Sequence, residues 1–199
     1  MGSLSEAKTL GGVGSILILL SFVPTVGGIL AIIGFVLVLV AVKYISDSVG
    51  DRTIFNNMII AVILAIIAII ALVVVVLGSI LRFVGLGGGF MGPFTPSNPL
   101  PSDVIGLIVS IFLGLVVAWV LYLVSAVFLR RIFSSIASRL NVGMFGTVGL
   151  LYLIGAATLI ILVGIIILFV AEILQIVAFF SIPDQAPQPP PVPGQQQAQ

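Results

Sequence analysis

The sequence predicts an all-α integral membrane bundle of about five transmembrane helices, N-terminus inside and C-terminus outside. Three observations carry that prediction. The 199 residues are 61% hydrophobic and only 7% charged, where a soluble domain is roughly 45–50% apolar and about 25% charged. Mean hydropathy is +1.44. The apolar residues fall in long runs, and about 20 such residues make a helix that crosses a hydrocarbon core about 30 Å thick. Seven basic and six acidic residues cannot coat a water-soluble sphere of this size. A soluble globular enzyme is therefore excluded, and so is a disordered chain, which is poor in apolar residues.

Each span has its own local warrant. The first covers residues 4–22 and opens on a capping box, Ser3 with Glu6 three residues on. Pro24 breaks it, and Thr25 is placed to cap a second span over 26–45. A single helix from Leu10 to Val42 would be about 50 Å long, too long for one crossing, so a hairpin is expected at Val23-Pro24-Thr25. The third span, 54–81, follows Asp51 and Thr53 as caps. The fourth, 103–129, follows Ser102 and Asp103. The fifth starts near Gly146 and is drawn to 172, although the apolar run continues to Phe180. That excess must tilt, kink near Gly155 or Gly164, or leave the membrane. Residues 183–199 form a Pro/Gln-rich tail that cannot pack a core, and 85–101 a Gly/Pro loop carrying Phe90 and Phe94. Gly87 to Gly89 lack the lysine and the strand–helix setting of a phosphate loop. No small-x-small site precedes Pro24, so no cleaved leader is expected.

Charge sets the expected orientation. With five spans, Lys8, Lys43, Arg52, Arg130, Arg131 and Arg139 share one side and Arg82 stands alone on the other. Basic residues favour the inside. Small residues set the expected packing, because close backbone approach holds helices together in lipid. Stripes run through Ala7, Gly11, Gly14 and Ser21; Gly27, Ala31, Gly34 and Ala41; Asn57, Ala61, Ala65, Ala68 and Ser79; Gly106, Ser110, Gly114 and Ala118; and Gly149, Ala156, Ala171 and Ala178, with Gly164 close by.

Little chemistry is on offer. Without Cys or His there is no thiol nucleophile, imidazole base or thiolate or histidine metal site. No two acids share a span, so paired-aspartate proteolysis is not expected either. No enzyme activity and no cofactor are expected, and a net charge of +1 predicts no nucleic-acid partner. Glu172 is the one acid inside an apolar run, and an intramembrane ionisable residue is a functional-site candidate. With Thr147 and Thr158 it forms a thin polar stripe that could line an ion path. On the other reading Glu172 lies at the outer interface, and the threonines bond carbonyls one turn back. Arg82 and Asp103 stand at the helix ends their charges prefer, and a pair of Arg82 with Asp103 or Glu172 is expected. Asn56 and Asn57 read as helix caps or as an amide pair for a polar solute. The segment from Arg130 to Leu140 is amphipathic, with Ile132, Phe133, Ile136 and Leu140 on one face. Arg130, Arg131 and Arg139 there serve as lipid head-group contacts or as topology anchors.

Four local strings go together: Ser5-Glu6-Ala7-Lys8-Thr9-Leu10-Gly11-Gly12, Pro24-Thr25-Val26-Gly27-Gly28-Ile29-Leu30, Val42-Lys43-Tyr44-Ile45-Ser46-Asp47 and Ile54-Phe55-Asn56-Asn57-Met58. In these the chain resembles an archaeal family of small multi-span membrane proteins catalogued as domain of unknown function 996. The likeness is densest from Ser5 to about Ala65. It implies an archaeal cell membrane and supplies no activity, so no functional residue carries over. The reading is a multi-pass protein embedded in the lipid bilayer, acting as a structural or accessory subunit in a homo-oligomer or larger membrane complex. The alternative is a small ion or solute channel or permease using Glu172.

Overall fold

The computed structural model describes residues 3–83 and 101–184, and among them every regular element is helical. α1 (Leu4–Leu19) runs into a 3₁₀ turn at Leu20–Phe22, and α2 is Gly27–Val49. The long pair is α3 (Arg52–Phe83) and α4 (Pro101–Leu140). α5 (Gly143–Thr158) ends in a 3₁₀ turn at Leu159–Ile161, and α6 is Val163–Phe180. Among the described residues five helical stretches are long and apolar enough to cross a membrane: 27–49, 52–81, 104–140, 143–161 and 163–180.

Local chemistry explains most helix ends. Ser3 Oγ accepts the Glu6 N–H at 3.2 Å while the Glu6 carboxylate accepts the Ser3 N–H at 3.0 Å, so the capping box forms. α2 stops at Gly50, whose φ of 69° suits a residue without a Cβ, and the Asp51 N–H returns to the Ser46 carbonyl at 3.0 Å. Asp51 then caps α3 by accepting the Thr53 N–H at 3.1 Å. Asn56 and Asn57 lie inside α3 and are not its caps. Asn141, with φ of 55°, turns α4 into α5. Thr25 adopts φ of 78°, and α2 starts at Gly27 with no side-chain cap, so the expected Thr25 cap is not made.

Two expectations need correction. The stretch 146–172 is not one span. It divides between α5 and α6 at Leu162, which adopts φ of 65°, and the two helices fold back on each other. A Cβ on Gly164 would lie 2.1 Å from the Gly155 carbonyl, so bare glycines let the backbones approach. The turn, Leu159 to Val163, is wholly apolar, and hydropathy therefore carries no mark of it. An extra reversal also changes the termini. Lys8 Nζ is 3.7 Å from the Asp184 carboxylate, and Gln175 Nε2 donates to Ser15 Oγ at 2.8 Å. The start of α1 and the end of α6 thus share one end of the bundle, not opposite ends.

Each helix packs on its chain neighbours, and α1 packs on α6 to close a ring. The small-residue seams supply the contacts: Gly14 meets Gly34, Gly114 receives Val75, and Gly149 sits against Phe133 and Arg130. Gly106 faces open space. Among the described residues the large buried side chains gather at one end of the ring. Ile45, Ile54, Ile132, Phe133, Ile136, Leu140, Phe145, Val148 and Phe179 are all less than 2% exposed. They cluster with Leu4, Met58 and Ile182 at the end holding the start of α1, the end of α6 and the turns at Gly50 and Asn141. Phe133 stacks on Phe145 and on Tyr152, and Phe145 meets Phe179 edge to face at 5.2 Å. We call this the basal end.

Candidate functional site

The basal end is a polar collar around that core. Exposed polar positions there include Ser5, Glu6, Thr9, Lys43, Asp47, Arg52, Thr53, Asn56, Arg130, Arg131, Ser134, Ser138, Arg139 and Thr147, and Val177 and Phe180 near the end of α6 are exposed as well. The amphipathic 130–140 segment continues α4, and its apolar face is spent on the protein core: Ile132, Phe133, Ile136 and Leu140 are buried. Arg130 and Arg131 stay exposed, with the Arg131 guanidinium 5.6 Å from the centre of the Phe128 ring. Arg139 Nη2 bonds Asp51 at 3.1 Å, tying the α2–α3 turn to the end of α4. Hydrogen bonds from Thr53 and the nearby Arg139 charge hold the Asp51 carboxyl below its ordinary value of 3.8.

Farther along the helices the surface changes. Exposed side chains become Val, Ile, Leu and Phe: Val73, Val74 and Leu77 on α3, Ile108, Phe112 and Leu113 on α4, Ile165 and Ile166 on α6. Several polar groups here are turned inward and bonded. Ser79 and Ser110 share a hydrogen bond at 3.0 Å across α3 and α4. Ser125 Oγ donates to the Ala61 carbonyl at 2.7 Å, and Trp119 Nε1 to the Ala156 carbonyl at 2.9 Å.

Glu172 lies mid-helix in α6, not at a span end. Tyr152 of α5 hydrogen-bonds its carboxyl, and Tyr122 of α4 lies near enough to interact with its charge. Its Oε2 is buried without a hydrogen-bond partner among the described residues. A few residues toward the base, Gln175 bonds Ser15, whose hydroxyl in turn donates to the Gly11 carbonyl at 2.8 Å. Beside Tyr122 opens an apolar groove of about 360 Å³, lined by Ala68 and Leu72 of α3, Leu115 and Trp119 of α4, and Leu159 and Leu162 of the α5–α6 turn.

The expected polar stripe does not form, because Glu172 is on α6 while Thr147 and Thr158 are on α5. Thr158 donates back to the Ile154 carbonyl at 2.8 Å, and Thr147 is exposed in the collar. Arg82 falls in the last turn of α3 and Asp103 in the first turn of α4. Their side chains, and with them the expected Arg82 pairing, lie outside the described residues, as do the 85–101 loop up to residue 100 and the tail from 185 on. Sequence reasoning overlooked Tyr122 and Tyr152. A usable signal existed: a carboxyl in hydrocarbon needs a donor, and the chain has only three tyrosines. Among the described residues no cluster of acidic side chains could hold a metal.

A family model described as a protein of unknown function, DUF996, matches residues 30–173. The uncharacterized protein MJ1644 of Methanocaldococcus jannaschii is 38% identical over 182 residues, covering 91% of this chain and 94% of its own length. No solved structure matches.

Proposed function

For this chain, which belongs to the DUF996 family of proteins of unknown function, we propose a structural or accessory role in the cell membrane. It packs there with copies of itself or with a larger membrane complex. One observation supports this above the others: the four polar side chains buried deepest, Ser15, Ser46, Ser125 and Gln175, are all used in bonds within the chain. Polar groups spent this way fix helix positions. The orientation we assign puts the basal end inside. Lys8, Lys43, Arg52, Arg130, Arg131 and Arg139 gather there, and Arg82 is at the opposite end of α3. Both ends of the described chain are then inside. Extraction in mild detergent followed by native mass spectrometry tests the role. An oligomer or a co-purifying membrane protein is expected, and a lone monomer under every condition contradicts it.

The unpartnered Oε2 of Glu172 favours a second reading, a permease for a proton or small cation. Liposomes carrying wild type or Glu172→Gln separate the two. Flux in wild type that is lost in the variant supports transport, and no proton or cation flux in either removes it for those ions.

A further inference from the structure

The heights at which the helices end differ in a way that helix length alone does not reveal. The α5–α6 turn is not at the far end of the bundle. Leu159, Ile160 and Leu162 line one groove with Ala68, Ile69 and Leu72 of α3 and Leu115, Ala118 and Trp119 of α4. Beyond them α3 runs on from Leu72 to Leu81, about 14 Å, and α4 from Leu115 to Val104, about 17 Å. That extra length is lined with exposed Val73, Val74, Leu77, Ile105, Ile108 and Phe112, and its internal contacts are between α3 and α4 themselves, Val75 on Gly114 and Ser79 on Ser110. Such a surface belongs in hydrocarbon, not in water. The turn therefore lies about half a bilayer short of the far end of the apolar zone, whose full depth is about 30 Å.

The α1–α2 turn goes no farther. α1 and α6 are antiparallel and in register where Gln175 bonds Ser15. Counting equally along both from that bond brings Val23 level with Ile167, still short of the start of α6. The basal edge of the zone fits as well. Exposed large apolar residues begin at Ile60 on α3 and Val127 on α4, while Arg130, Arg131, Ser134 and Asn56 are exposed beyond them. From Ile60 to Leu81 is about 32 Å and from Val104 to Val127 about 35 Å, one hydrocarbon thickness each.

We propose that only α3 and α4 cross the bilayer completely, and that α1–α2 and α5–α6 are re-entrant hairpins that enter the basal leaflet, turn inside it and return. Acyl chains of the far leaflet cover the turns and the upper faces of α3 and α4. Turns in lipid must satisfy their own backbone, and these do so in large part locally. The Leu162 N–H bonds the Leu159 carbonyl at 2.9 Å and the Ile165 N–H the Leu162 carbonyl at 3.2 Å. In the other turn the Val23 N–H bonds the Leu20 carbonyl, the Gly27 N–H bonds the Val23 carbonyl, and Pro24 brings no donor at all. The protein is then a wedge, with six helices in one leaflet and two in the other, and it favours membranes whose basal leaflet is expanded.

The chain has no Cys, so single-cysteine variants report cleanly. Thr25→Cys and Ile161→Cys mark the two turns and Ser134→Cys the collar. Each is placed in phosphatidylcholine vesicles with a membrane-impermeant maleimide in both aqueous compartments, and its depth is read separately with a fluorescent label quenched by doxyl lipids. Re-entry predicts rapid labelling at Ser134→Cys. It predicts labelling slower by at least tenfold at both turns, with strongest quenching there by mid-chain doxyl lipid. Labelling of the turns as fast as Ser134→Cys, or strongest quenching by head-group doxyl lipid, overturns it. Agreement between two independent turns guards against one misfolded variant.

Discussion

The two ends of the bundle are built on opposite plans. At the basal end, polar residues face outward and aromatic and aliphatic ones fill the centre, as in a soluble helical domain. Phe133, Phe145 and Phe179 are each no more than 1% exposed there, while Arg130, Arg131 and Ser134 are exposed. At the far end the α3–α4 pair turns Val, Ile and Phe outward and keeps its few hydroxyls between the helices. The difference teaches where each kind of force acts. Burial from water drives the base together. In lipid that gain is absent, and close contact at small residues takes over.

Substitutions that treat the two ends alike should not have like effects. The largest expected effect is at the base: Phe133→Ala should cost about 3–5 kcal/mol, the range for a buried aromatic. Ile108→Ala, on the exposed face of α4, should cost no more than about 0.5 kcal/mol. Unfolding of both variants in mild detergent titrated with a denaturing one compares them, and equal losses would erase the distinction. Next is the lipid-type contact between helices. Gly34→Leu should cost about 1–3 kcal/mol by forcing α1 from α2, since a Cβ there would already lie 2.5 Å from the Gly14 carbonyl. Gly78→Leu, with open space around it, should cost less, so the same assay separates position from residue type.

Smaller again is the buried amide bond that joins the two hairpins. Ser15→Ala should cost about 0.6 kcal/mol, typical of a hydrogen bond between membrane helices. In a double-mutant cycle with Gln175→Leu the two losses should not add, and full additivity would mean that the bond carries nothing. The smallest effect is at the collar surface. The folded Asp51 carboxyl titrates below its ordinary value, so its contribution is present above about pH 4 and is lost as pH falls through the folded value. The stability gap between wild type and Asp51→Asn should therefore close in acid, and an unchanged gap from pH 7 to pH 2 would contradict the assignment.

The sequence made the helices legible because apolar runs, capping residues and small-residue spacing are local signals. The Ser3–Glu6 box and the Gly14, Gly34 and Gly114 contacts appear where the pattern puts them. The reversal at Leu162 was not legible, since a turn made of Leu, Ile and Val in lipid needs no polar residue to mark it. Missing that turn hid the return of α6 to the end of the bundle where α1 starts. The Arg130–Leu140 face was read correctly as amphipathic, but periodicity does not say whether the apolar side meets lipid or protein; Phe145 and Phe179 fill that role here. The surroundings of Glu172 were hidden for a different reason. Tyr122, Tyr152 and Glu172 come from three helices, and only the tertiary packing brings them together.

The central claim is that α4 leaves the hydrocarbon near Val127 and continues as part of a polar collar. Nitroxide scanning along α4 tests this most directly, by comparing collisions with oxygen, which concentrates in hydrocarbon, and with a water-soluble nickel chelate. Labels at Ile108, Val120 and Val127 should favour oxygen, and labels at Arg131, Ser134 and Ser138 should favour the nickel chelate, with one crossover between Val127 and Arg131. Oxygen-favoured collisions at every one of these positions would mean that the collar is immersed in lipid and would contradict the account.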